Sequence, residues 1–435
     1  MPNTFSSISE IHAAYRGGRA TVKEVVLACL TRIAEIDACE GGLKSVIEVN
    51  PDALKIAEQM QPHDSMPPLF GIPILLKDNV NTFDRMHTTA GSVALADNYA
   101  PYDADITTLL RQAGAVIIGK ANMTEFANYM TSGAMPSGYS SRGGQVLHPH
   151  DVAVNPSGSS SGSAVAVAAG LCTVSIGTET SGSIISPAGV CGVVGLKPTA
   201  GLVSGHGIIP ISSTFDTAGP MSRNVRDTAV LLGVLAGQDY TNVLENCALK
   251  GVRVGINKSI EKDENFDKLC QLLSSAGAII VDDITVEGDF RQFRRDIMRY
   301  EFKGCLNHYL STVNTKVRNL GDIVEFNQAN AHVALKYGQD ILLDAQNTTT
   351  GNFTEAAYLE ALLYREKMIG AFDAVFANCD ILLGDSFVYN APAVGFPTIT
   401  IPVKQFNTRA AFTAQKYNEV LLLKIGSALE RQLCE

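Results

Sequence analysis

Residues 155–170 read NPSGSSSGSAVAVAAG, and the fold turns on what that stretch is. Its first nine residues are Asn, Pro, Ser and Gly only, the composition of a flexible linker. A helix of small residues then begins without a break. The stretch is therefore either a hinge between two domains or a rigid loop inside one. The flanks favour the loop. Short apolar runs ended by Gly or Pro lie on both sides of it: GIPILLKDN (71–79), AGAVIIGKAN (113–122), CTVSIGTET (172–180), CGVVGLKPT (191–199), GVRVGI (251–256), GAIIVDDI (277–284), DILLGD (380–385) and PTITIPV (397–403). Each reads as a buried strand or strand end, and helical patterns alternate with them. This predicts an α/β fold, a single large domain with a β-sheet flanked by helices on both faces.

The N-terminal segment (1–45) reads as two helices, SISEIHAAYRGGR (7–19) and VKEVVLACLTRIAEID (22–37), the second capped by Thr21. The pattern turns helical again between about 296 and 377. No internal repeat and no Pro-rich linker interrupts the chain.

Composition narrows the function classes. Of 435 residues, 46% are hydrophobic and 18% charged, the profile of a packed globule. Acids outnumber bases 44 to 34 and no Lys/Arg run supplies a basic face, which argues against a nucleic-acid partner. The nine cysteines are odd in number and none falls in a CxxC. Free thiols in a reducing compartment fit that better than a disulfide framework or a zinc site. The start has no cationic segment followed by an apolar run, and no stretch approaches the ~20 apolar residues of a membrane span. The expectation is a cytoplasmic protein without a membrane partner.

Several residues carry candidate chemistry. Ser183 in GTETSGSI (177–184) follows a strand and a turn-prone segment. The backbone amides of Thr180, Ser181, Gly182 and Ser183 can converge there as an anion-binding nest, although a plain helix-capping serine reads the same way. Lys77 ends the apolar run GIPILLKDN, where α/β proteins place functional groups. Burial would ease the loss of its proton, whereas a solvated strand-end lysine would do nothing. Gly158–Gly162 matches G-x-S-x-G around Ser160, but no strand leads into it and none of the histidines stands in a telling context. Ser259-Ile-Glu-Lys262 matches S-x-x-K without its companion motifs and reads as chance.

Taken together, KDN around Lys77, SGSSSGSAVAVAAG and GTETSGSIISPAGVCGVVGLKPTAGLVS resemble the amidase signature family. The resemblance runs from the N-terminal helices through GPMSR (219–223) and returns in PTITIPV; SRGGQ (141–145) and GIIPIS (207–212) are most similar to the bacterial peptide amidase branch. It implies a mixed sheet flanked by helices, with a signature core at about 65–225 and a variable, substrate-side region at about 250–435. It also implies a Ser–cis-Ser–Lys mechanism: Ser183 as nucleophile, Ser159 as the bridging serine on a cis peptide after Gly158, and Lys77 as base. Ser160 would support the loop, the amides of Thr180 to Ser183 would form the oxyanion hole, and no cofactor or metal would take part. The expected reaction is hydrolysis of a carboxamide, on a peptide or amino-acid amide, to acid and ammonia by a monomer or homo-oligomer. The alternatives are an A-type subunit of a tRNA-dependent amidotransferase, acting as a glutaminase with partner subunits, and a non-catalytic scaffold.

The chain departs from the family pattern in places. Many members read GTDTGGSIR where this chain has GTETSGSII, so Glu179 replaces an Asp and Ile185 an Arg. The peptide amidase branch shares the Glu and lacks the Arg, but usually carries Asp where Ser181 stands. After PTITIPV the usual Gly-rich strand gives way to KQFNTRAAFTAQ (404–415), and GDSFVYNAPAVGF (384–396) is compact, which predicts an altered pocket wall or sheet edge.

Overall fold

The computed structural model describes residues 7–433 apart from 246–247, 259, 385–386, 404 and 406–407. Cys247, Cys434, Ser259 of the S-x-x-K match and parts of the 384–396 and 404–415 stretches therefore lie outside the described residues. The chain opens with α1 (Ile8–Arg16), α2 (Val22–Arg32), β1 (Val46–Val49), α3 (Ala53–Gln59), β2 (Pro73–Lys77), α4 (Asp105–Gln112) and β3 (Val116–Ala121). A two-residue pair, β4 (Tyr139–Ser140) and β5 (Gly144–Gln145), precedes α5 (Ser161–Ala168), β6 (Val174–Glu179), α6 (Ile185–Cys191), β7 (Val194–Lys197), β8 (Thr217–Ser222) and α7 (Val225–Ala236). Then come β9 (Arg253–Asn257), α8 (Glu264–Ser275), β10 (Ile279–Ile284) and a helical run of α9 (Gln292–Thr312), α10 (Leu320–Ala329), α11 (Ala331–Ala334), α12 (Asp340–Thr348) and α13 (Ala356–Val375). The chain closes with β11 (Ile381–Leu383), α14 (Phe387–Val394), β12 (Thr398–Val403), β13 (Thr408–Ala414) and α15 (Glu419–Gln432).

Eleven strands form one mixed sheet in the order β1-β3-β2-β6-β8-β7-β12-β13-β11-β9-β10. β2 runs parallel to β3 and β6, and β9 parallel to β10 and β11, while β8, β12 and β13 pair antiparallel with their neighbours. Helices pack on both faces, as expected for a sheet whose central strands are buried throughout. Thr21 caps α2 in a full capping box with Glu24. The predicted helix to Asp37 ends as a π turn over Ile33–Asp37, and the buried Asp37 carboxylate accepts the Ser45 and Val46 amides.

All eight predicted strands form. In the large sheet the sequence patterns miss β1, β8 and β13. β8 is TAGPMS, whose Gly and Pro speak against an interior strand. It survives because its ladder with β7 covers only Val194 and Gly195 and stops before Pro220, which has no N–H to donate. β13 overturns the expectation of a changed sheet edge. TRAAFTA lies inside the sheet, in register with β12 over Thr398–Val403 and with β11 over Ile381–Leu383. Its alanines and Phe412 are buried on both faces.

Candidate active site

The Ser/Gly stretch is a fixed loop. Gly162 donates its amide to Asn122 O (2.9 Å), and Thr124 N donates to Ser159 O (3.0 Å). A Cβ on Gly162 would lie 2.3 Å from Ser45 O and 2.4 Å from Asn122 O, so only glycine lets α5 start this close to the segment after β3. Ser163 Oγ donates to Ile176 O, and Ser175 Oγ donates to Ser163 O, which ties α5 to β6. The Gly158–Ser159 peptide bond is cis.

This loop meets two strand ends. Lys77, the last residue of β2, is fully buried, and its Nζ lies 2.8 Å from Ser159 Oγ, 3.0 Å from Ser160 Oγ and 3.0 Å from Thr178 O. The proton directions follow from the partners. Thr178 O can only accept. Ser160 Oγ donates its own proton to Thr178 O (3.0 Å) and accepts the Thr178 amide, so toward Lys77 it can only accept as well. A neutral Lys77 amine thus uses both N–H groups on Thr178 O and Ser160 Oγ, and its lone pair is left facing the Ser159 hydroxyl. Burial brings the lysine down from its ordinary value to about 7, against the opposing pull of Asp216 and Glu179. The neutral form is therefore accessible near neutral pH. Ser160, with its hydroxyl committed on both sides, has no proton to move.

Ser183 sits where β6 turns into α6. Its carbonyl accepts the Ser160 amide (3.1 Å), so the two serine segments are joined through the backbone. Glu179 shapes the turn: its carboxylate accepts the amides of Gly182 (2.8 Å), Ile184 (2.7 Å) and Ile185 (3.0 Å). Gly182 takes a positive φ of 84°, which suits glycine at the tip. These bonds correct the expected oxyanion set. The Gly182 amide points inward at Glu179, which leaves Thr180, Ser181 and Ser183 as the candidate donors. Thr180 Oγ1 donates to the half-buried Asp216 (2.5 Å), whose other oxygen accepts the Ile211 and Ser212 amides. Burial pushes Asp216 up to about 6. Ser181, where the branch usually carries an acid, accepts a hydrogen bond from Arg294 of α9 (3.0 Å). Ile185 is buried in the core.

Two hollows open on this turn. A polar one of about 220 Å³ is lined by Ser137, Ser157, Gly158 and Thr180–Ser183. A larger one of about 390 Å³ has mainly apolar walls, including Tyr102, Val203, Ile208, Pro210 and Tyr309. They share Ala127, Thr180 and Ile211, so they adjoin at the turn. Among the described residues no Lys or Arg lines either hollow.

Sequence reading missed Asp216 and Asn79 as parts of the site. Asn79 donates to Thr178 Oγ1 (3.0 Å) and Ile209 O (3.3 Å), which holds the loop before Asp216 against the strand that accepts Lys77. The signal was present as the N of KDN and the D of FDTAGP, but neither residue type stands out without the fold. Cys29, Cys39, Cys172, Cys191, Cys270, Cys305 and Cys379 are free thiols. Among the described residues no helix is long and apolar enough to cross a membrane, and no three His, Cys, Asp or Glu side chains gather as a metal site.

Comparison with known proteins identifies the family. A family model described as Amidase matches residues 24–416. The native peptide amidase of Stenotrophomonas maltophilia superposes with a TM-score of 0.92 at 36% identity, over 100% of this chain and 98% of that one. A probable amidase of Arabidopsis thaliana is 34% identical over 99% of this chain and 91% of its own length. The A-type glutamyl-tRNA(Gln) amidotransferase subunit of Lawsonia intracellularis is 31% identical over 98% and 97%.

Proposed function

The chain belongs to the amidase family and is an amide hydrolase, and on that premise we propose that it releases ammonia from carboxamides through Ser183, Ser159 and Lys77. The observation that carries the reading is the 2.8 Å contact of Lys77 Nζ with Ser159 Oγ, beside two other partners, Ser160 Oγ and Thr178 O, that can only accept. Ser183 Oγ attacks the amide carbon as its proton passes to Ser159, whose own proton passes to Lys77. The amides of Thr180, Ser181 and Ser183 hold the oxyanion. When the C–N bond breaks, the proton returns through Ser159 to the leaving nitrogen and ammonia departs. Water then attacks the Ser183 ester by the same relay and frees the acid. The signature core at about 65–225 carries this chemistry, and the region from about 250 shapes the substrate side.

The leaving group is ammonia, so all the bulk of a substrate lies on its acyl side. The 390 Å³ apolar hollow suits that body, and its lack of a cationic wall suits an uncharged one. An N-acylated amino-acid amide is therefore expected to exceed free glutamine in kcat/KM by about tenfold or more. Ile208→Trp, which narrows the large hollow, should lower kcat/KM for the acylated amide by about tenfold and leave acetamide nearly unchanged. The deciding experiment is ammonia release by the purified chain on a carboxamide panel. Release from acylated amides by the chain alone supports the reading. Cleavage of glutamine only with added partner subunits would assign the chain to the amidotransferase role, and no release from any amide would leave a scaffold.

A further inference from the structure

Lys197 is a buried cation that the relay does not use. It ends β7 with no exposed surface, and its Nζ has no hydrogen-bond partner. An ammonium left without hydrogen bonds in a protein interior is costly unless charges nearby compensate it. Burial draws Lys197 down to about 8; Glu179 and Glu419 pull it back up, while Lys416 and Arg365 repel it. Glu419, at the start of α15, is occupied by the Thr199 amide (2.8 Å) and hydroxyl (2.6 Å). Glu179 is occupied by the three amides of the Ser183 turn.

β6 and β7 both run antiparallel to β8, so their last residues, Glu179 and Lys197, lie at the same end of the sheet with one strand between them. β8 alone separates β7 from β6, and at Gly219 it carries no side chain. A Cβ there would lie 2.1 Å from Leu196 O and 2.9 Å from Pro198 Cδ, so β7 closes on β8 beside Lys197. Burial raises the Glu179 pKa, and the Lys197 charge is the first of the influences that oppose it, ahead of the amides of Ile184, Ile185 and Gly182. Position 185, the first residue of α6, is an isoleucine and contributes no charge.

We propose that Lys197 is a positioning residue: its ammonium keeps the Glu179 carboxylate ionised, and ionised Glu179 aims the turn that carries Ser183. The inference rests on the assignment of Ser183 as nucleophile. A carboxylate accepts at both oxygens, whereas a protonated one must turn one oxygen into a donor. An amide of Gly182, Ile184 or Ile185 would then lose its partner, and the turn would loosen at the oxyanion donors. Ionised Glu179 also acts on Lys77, together with Asp216, by favouring its charged form. Loss of the Glu179 charge therefore lowers the Lys77 pKa, and the rate limb moves to lower pH.

The test measures kcat, KM and their pH profiles for wild type, Lys197→Met, Glu179→Gln and the double variant. Lys197→Met is expected to lose about tenfold or more in kcat with KM nearly unchanged, and its limb should move to lower pH. Added to Glu179→Gln, it should change kcat by less than about twofold, because both act through one carboxylate. Wild-type kcat and limb in folded Lys197→Met, or losses that simply add in the double variant, overturn the proposal. Should Lys197→Met fail to fold, Lys197→Gln takes its place. Folded Glu179→Gln with wild-type kcat and limb overturns the proposal whatever the lysine variants do. A wild-type chain that releases no ammonia would instead be a failure of the hydrolase mechanism itself.

Discussion

Ser183→Ala is expected to lower kcat by about 10⁴-fold or more while the protein folds and melts as wild type does. The size follows from what is removed. Without the Ser183 oxygen no acyl ester forms, and the residual rate comes only from bound substrate and the oxyanion donors. The fold should survive because the turn is held by the Glu179 carboxylate and by backbone bonds, not by the Ser183 hydroxyl. Ammonia release gives the rate and thermal melting the control. Ser160→Ala is the informative partner, since Ser160 is the residue the G-x-S-x-G match would nominate. Its hydroxyl is bound to Thr178 on both donor and acceptor sides, so its loss should weaken the setting of Lys77 and cost about 10–100-fold. Ser183→Ala retaining more than a few per cent of turnover, with Ser160→Ala inactive, would move the nucleophile to Ser160.

What the sequence disclosed depended on whether a residue's role is local. Strands with continuous apolar runs were legible because burial on both faces leaves that pattern. The Thr21 cap was legible from its own few neighbours. β8 was not, because its Gly219 and Pro220 make sense only beside the backbone of β7. β13 was hidden for a related reason: alanines and threonines fill a strand whose neighbours already supply the bulk. In the site, the roles of Lys77, Ser159 and Ser183 came from the family resemblance of the segments that hold them. The inward direction of the Gly182 amide was not, since it depends on the reach of one longer acid, Glu179, across the turn. Asp216, thirty-three residues beyond Ser183 in the chain, reaches the site only through the loop that Asn79 holds.

Lys77→Met is expected to lower kcat by about 10³-fold, and the pH dependence of the wild type should show why. The active form is the neutral amine, whose lone pair faces Ser159. With its pKa brought down to about 7 by burial, kcat/KM should rise about tenfold per pH unit below that point and level off above it. Asp216 favours the ammonium, so Asp216→Asn should move this limb to lower pH even if it also slows the reaction through Thr180. Lys77→Arg separates a base from a mere charge. A guanidinium keeps the positive charge and can donate to Ser159, Ser160 and Thr178, but it offers no lone pair at any working pH. If the site needs only a cation to orient its serines, Lys77→Arg should retain most of the wild-type rate and the profile should be flat through neutrality. If Lys77 is the base, Arg should be as inactive as Met, and the limb near pH 7 should vanish from whatever residual rate either variant keeps.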